Sequence, residues 1–163
     1  MNTLIIFGAK YLFVLVFLIA ASVALSLSPK KRIPFLLSAI GCGVFAIVLA
    51  KVCGRLYFSP RPFTQGVIPL FSHEPDNGFP SDHTVLCSAL AALTFSVSRK
   101  IGVGLFVLAG VVGASRVASG IHSPLDIVAG LLIGVISAVV SLGLVSLLCR
   151  EKRVLQQSGN STT

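Results

Sequence analysis

From Ile127 to Leu148 the chain runs without one charged side chain, and that run limits the solvent this segment can face. It matches the roughly 20 apolar residues that a helix needs to cross a bilayer. Inside lipid each backbone N–H and C=O must be paired within the spanning structure, so a run of this length reads as a helix. Four further apolar runs precede it. Charged residues make up 11% of the 163 residues and the mean hydropathy is +0.96, whereas a soluble domain carries about a quarter charged residues. The expectation is an all-α polytopic membrane helix bundle with about five transmembrane helices. Residues 1–153 read as one integral-membrane domain, and residues 154–163 as a polar, disordered tail.

The expected spans run from about Lys10 to Leu27, Pro34 to Phe58, His83 to Val97, Ile101 to Val117, and Pro124 to Cys149. The first could pass for a signal peptide, but its basic cluster follows the apolar run instead of preceding it. It therefore reads as a retained span. Pro34 suits a first helical turn, and Gly130 and Gly134 have the spacing of close helix contacts inside a bundle. Cys42, Cys53, Cys87 and Cys149 sit in or beside apolar runs without a ligand pattern and read as free buried thiols.

The net charge of +8 does not mark a nucleic-acid surface, because the cations sit in clusters flanking apolar runs. Lys30, Lys31 and Arg32 form one, Arg99 and Lys100 another, and Arg150, Lys152 and Arg153 the third. With the N-terminus outside, all three fall on the cytoplasmic side, and the polar stretches 59–82 and 115–126 fall outside. The expected location is the cytoplasmic (inner) membrane, multi-pass, with the C-terminus cytoplasmic.

The polar stretches hold the chemistry. Ser115 to Asp126 reads SRVASGIHSPLD. Arg116 offers a planar fork of donors suited to phosphate, and His122 is a nucleophile or base near neutral pH. A helix beginning near Pro124 puts Asp126 in its first turn, facing back to orient His122. Ser123 can cap the same helix without conflict. The other stretch carries Arg61, His73, Glu74, Asp76, Asp82 and five prolines, and a loop that long is usually functional. Ser81 is placed to cap the following helix and to help bind phosphate at its N-terminus. Lys51 and Arg55, one turn apart near the outer end of the second span, either snorkel to the interface or pair with a phosphate.

Three motifs now stand in order: Pro60-Arg61-Pro62-Phe63 preceded by Lys51 and Arg55, then Phe79-Pro80-Ser81-Asp82-His83-Thr84, then Ser115-Arg116 with His122 and Asp126. Together they resemble the type 2 phosphatidic acid phosphatase (PAP2) superfamily of metal-independent lipid phosphatases. Asp82 stands where that family usually has glycine. The variant, with His73-Glu74-Pro75-Asp76 before it, is similar to the undecaprenyl-pyrophosphate phosphatase branch. Gly54 occupies the family's lysine position, so Lys51 with a longer spacer, or Arg55 with a shorter one, would take that role.

The residue types alone leave the two histidines interchangeable. The resemblance implies that His122 is the nucleophile, forming a phosphohistidine, and His83 the acid and then the base. It implies that Asp126 orients His122, and that Arg61, Arg116, Lys51, Arg55 and Ser81 bind phosphate. His73 and Asp82 are further substrate contacts. No metal or other cofactor is expected, since a basic cradle supplies the charge a metal would bring. The implied substrate is undecaprenyl diphosphate. The alternatives are a phospholipid phosphate (phosphatidic acid, phosphatidylglycerol phosphate or a lipid A phosphate) and a non-catalytic module that binds or translocates lipid phosphates. Expected partners are such a lipid and the bilayer, with no nucleic acid.

Overall fold

The computed structural model describes residues 2–160, with side chains through residue 150, and each regular element in that range is helical. The helices are α1 (Asn2–Lys10), α2 (Leu12–Ser26), α3 (Pro29–Leu56), α4 (Asp82–Val97), α5 (Arg99–Ala118) and α6 (Pro124–Asn160), with a 3-10 turn at Pro62–Gln65. The polar tail expected to be disordered from residue 154 continues α6 as far as Asn160; residues 161–163 lie outside the described residues.

The all-helical membrane class expected from the sequence is what the chain adopts. Helices α3, α5 and α6 are long and apolar enough to cross a bilayer, and α1 with α2 makes a fourth if the pair is one span bent by 44°. Helix α4 is apolar but has only 16 residues, about 24 Å of helix against a hydrocarbon core of about 30 Å. Two expected boundaries also move. The first helical segment begins at Asn2, before Lys10, and breaks at Tyr11. The second begins at Pro29 because Ser28-Pro29 supplies the extended residue and the N1 proline, which leaves Pro34 inside the helix.

Short α4 lies in the middle of the bundle, packed on α2, α3, α5 and α6. Cys87 and Ala91 of α4 meet Val16 and Ala20 of α2 and Leu105, Ala109 and Val112 of α5. On its other side, Ala89 and Leu93 meet Phe35 and Cys42 of α3 and Ala138 of α6. Gly130 and Gly134 face Thr84 and Ser88, where any Cβ would collide. Their spacing therefore serves α4–α6 contact within the bundle, sealed by Ser88 Oγ donating to the Gly130 carbonyl at 3.3 Å. Ser141 Oγ donates to the Ser38 carbonyl at 2.8 Å and ties α6 to α3.

Burial is inverted relative to a soluble protein. Ser38, Thr84, Ser88, Thr94, Ser137 and Ser141 are buried, while Ile40, Ile47, Val107, Val139 and Leu147 each expose more than half their surface. Small residues inside let helices approach closely, and lipid chains accept the aliphatic side chains outside. Cys42 and Cys87 are buried free thiols. At one end of the bundle, Lys30, Lys31 and Arg150 border a single cleft with Ser96 and Val97. At the other end the two polar loops meet, with Leu70 N–H donating to the Ser119 carbonyl at 3.1 Å.

Candidate active site

His122 is the centre of the second end. It is buried, in the short loop between α5 and α6. Its Nδ1 lies 2.9 Å from the Gly78 carbonyl and 3.5 Å from Asp126 Oδ2. Both partners only accept, so Nδ1 carries the proton. Nε2 is then an acceptor, facing Arg116 Nη2 at 2.9 Å and Arg61 Nη1 at 3.3 Å. Burial, reinforced by the two guanidinium charges and opposed by Asp126, holds the His122 pKa below the ordinary imidazole value. A neutral ring fixed by one nitrogen thus points its free lone pair into a pair of buried cations.

Each supporting residue is placed by local structure. Asp126 is fully buried in the first turn of α6, as the Pro124 start predicts. Its Oδ2 accepts the Ser123 N–H at 2.7 Å while its own N–H reaches Ser123 Oγ at 3.3 Å, a reciprocal cap. Capping and orienting coexist on one carboxylate, but the shorter contact to Nδ1 comes from the Gly78 carbonyl. Arg61 is buried between loops, with Nε on Asp76 at 2.7 Å and Nη1 donating to the Ile121 carbonyl at 3.2 Å. Arg116, in the last turn of α5, donates from Nη1 to the Ala9 carbonyl at 3.4 Å.

His73 is drawn into the same group. Its Nε2 lies 3.4 Å from Arg116 Nη2, and its ring centroid 6.5 Å from that of His122. Burial is the largest influence lowering its pKa, with Arg61 and Arg116 adding to it. His83, at the start of α4, stacks edge-on against Phe13 with centroids 4.7 Å apart, and neither ring nitrogen is hydrogen-bonded among the described residues. It is near enough to Arg116 to feel its charge. Ser81 occupies the N-cap position of α4 without making the cap bond. Its hydroxyl is buried and has no partner among the described residues, an orphan donor suited to an incoming anion. Asp82 is exposed beside it.

Lys51 and Arg55 are not brought to His122. Both are exposed on α3, and Lys51 lines the cleft between α3 and α4 with Asn77, Phe79, Pro80 and Asp82. The glycine at position 54 has a physical cause. A Cβ there would stand 2.9 Å from the Phe79 carbonyl, closer than real contacts allow, so the loop lies where a lysine would begin.

Sequence reasoning passed over Asn77, although Asn77-Gly78 is a plain turn signal. Its Oδ1 accepts the N–H groups of Ser59 and Phe79 at 2.9 and 3.0 Å. Its Nδ2 donates to the carbonyls of Gly54 and Tyr57 at 2.8 and 3.0 Å. One amide therefore clamps the end of α3 to the strip that presents the Gly78 carbonyl to His122. Asn77→Ala should lower stability by about 2 kcal/mol by orphaning these groups, and should cut activity about tenfold. Denaturation midpoints and turnover in detergent check both. Nothing in the sequence pattern marks Ala9 or Phe13.

Among the described residues no three His, Cys, Asp or Glu side chains converge as metal ligands. The groups around Nε2 are cations, and what they suit is an anion with several oxygens.

A helical membrane protein with a neutral histidine between two buried arginines, recessed at one end of the bundle, belongs to the class that handles lipid-borne phosphate. A model of the PAP2 superfamily matches residues 33–148, and the chain belongs to that superfamily. It is 39% identical over 140 residues to the bacitracin transport permease protein BcrC of Bacillus licheniformis, covering 85% of this chain and 68% of that one. It is 30% identical over 137 residues to the undecaprenyl-diphosphatase BcrC of Bacillus subtilis (strain 168), covering 83% and 70%. The putative undecaprenyl-diphosphatase YbjG of Escherichia coli (strain K12) is 35% identical over 139 residues, with 83% and 69% covered. In three dimensions the chain is similar to the crystal structure of Aquifex aeolicus LpxE, with a TM-score of 0.58 at 28% identity, covering 85% of this chain and 81% of that one. The protein is a lipid phosphatase.

Proposed function

We propose that this phosphatase hydrolyses undecaprenyl diphosphate to undecaprenyl phosphate at the outer face of the cytoplasmic membrane, through a phosphohistidine on His122. The observation that carries the reading is the His122 ring, with Nδ1 held by an acceptor and Nε2 aimed between Arg61 and Arg116. Relatives named undecaprenyl-diphosphatase supply the substrate.

The two guanidinium groups donate to Nε2. A terminal phosphate entering between them gives those donors oxygens to bind, which frees the lone pair to attack phosphorus. The Nε2–P bond forms as the bond to the bridging oxygen breaks, and the electron pair leaves with the lipid monophosphate. His83 gives that oxygen a proton and then takes one from the water that cleaves the phosphohistidine. Asp126 steadies the positive charge the ring acquires, and Ser81 Oγ adds a donor to the oxygens. Hydrolysis in the second step releases inorganic phosphate and restores neutral His122.

The orientation rests on charge. Lys30, Lys31 and Arg150, from two of the basic clusters, border one cleft at the end of the bundle away from His122, and the positive-inside bias supports an outside site. Residues 1–153 act as one membrane domain in this reading, with bent α1–α2 and short α4 completing five passes. In detergent with EDTA, the protein should release phosphate from undecaprenyl diphosphate at least about tenfold faster than from phosphatidic acid. Preference for phosphatidic acid would move the substrate to phospholipids, and strict dependence on an added divalent metal would sink the mechanism.

A further inference from the structure

The family match begins at residue 33, yet the bent helix pair before it touches the site at several points. Helix α1 lies against α5, with Gly8 on Ser115. The bend at Tyr11 interrupts the helical ladder. In an unbroken helix the Ala9 carbonyl takes the Phe13 N–H; here it takes Arg116 Nη1. Phe13 supports the ring of His83. Between these two contacts stands Lys10, whose ammonium lies 4.4 Å from the centroid of Phe71, two residues before His73. Lys10 is thus adjacent in sequence to one partner of Arg116 and rests on the loop that carries another.

Among the described residues the site otherwise lacks a third cation. Position 54 has no room for one, and Lys51 points into the cleft between α3 and α4. Arg61 and Arg116 suffice for the phosphate under attack, but a diphosphate carries a second phosphate that gains charge as it leaves with the lipid. We propose that Lys10 binds that second phosphate, making the N-terminal bend a specificity element for diphosphates over monoesters. The inference rests on the phosphatase reading above and adds to it a residue outside the family match. Stacked over Phe71, the ammonium has no anionic partner among the described residues, and an incoming phosphate exchanges the ring face for a charge-assisted hydrogen bond.

The test is the ratio of kcat/KM for undecaprenyl diphosphate to that for phosphatidic acid, together with inhibition by inorganic pyrophosphate and inorganic phosphate. Lys10→Ala should lower the ratio about tenfold to a hundredfold and weaken pyrophosphate inhibition more than phosphate inhibition. Lys10→Arg should restore most of both. An equal loss on both substrates would mean that Lys10 only tethers α1, and would overturn the proposal. So would a fall in the ratio produced by Lys51→Ala in place of Lys10→Ala. If the wild-type protein turned over neither lipid, the phosphatase reading would fail instead. Thermal stabilisation by pyrophosphate relative to phosphate, lost in Lys10→Ala, would still decide the role of Lys10.

Discussion

Replacing His122 with alanine is expected to abolish phosphate release, by at least about 10⁴-fold, as removal of a covalent nucleophile does. The residue is buried and bonded on both ring nitrogens, so nothing nearby can substitute for Nε2. His73 has its Nε2 on Arg116 and its ring centroid 6.5 Å from that of His122. His73→Ala should therefore slow turnover about tenfold by loosening Arg116. Rapid-quench labelling with ³²P-substrate adds a second reading. Wild-type protein should carry acid-labile, base-stable label, and His122→Ala none. Equal losses from the two variants would mean that the histidines share the chemistry.

Arg116→Ala should lower kcat by about 10²–10³-fold, the usual cost of removing a donor aimed at charge developing in the transition state. Arg116→Lys should recover little, because one ammonium cannot serve the Ala9 carbonyl and two imidazoles from a planar fork. The pH profile separates charge from shape. The reactive form of His122 is neutral, and its pKa lies below the ordinary imidazole value through burial and the two arginines. On the acidic side, wild-type kcat/KM should accordingly hold through mildly acidic pH and fall below the usual imidazole range. Removing the Arg116 charge raises the His122 pKa, so the acidic limb of Arg116→Ala should move to higher pH. A limb that stays in place would mean the arginine acts on substrate alone.

Much of the site was open to a reader of the sequence because its chemistry is local. Arg116, His122 and Asp126 lie within one α5–α6 turn, and a helix starting at Pro124 sets the last two at helical spacing. Arg61 stood out in its proline-rich loop and Ser81 at a helix start, while His83 stood out through the Phe79–Thr84 motif and its family resemblance. What escaped was contact between distant segments. The Gly78 carbonyl on His122, the Asn77 clamp and the Ala9 carbonyl on Arg116 join residues far apart in the chain. Backbone carbonyls carry no residue signature, so no pattern announces them. Hydropathy weighs composition, so it showed neither that α4 is short nor that the first segment bends at Tyr11.

The apolar runs, with cations flanking them, by themselves determined a helical membrane bundle, since lipid leaves an unpaired backbone no alternative. The three motifs by themselves determined a phosphatase of this superfamily. Only the tertiary structure decided the cradle of cations around His122. It seated the Phe79 carbonyl where a lysine at position 54 would begin, left Lys51 in the cleft between α3 and α4, and brought the bend at Tyr11 against Arg116. The reason is steric: two groups cannot share one volume, and which of them yields is settled where the segments meet.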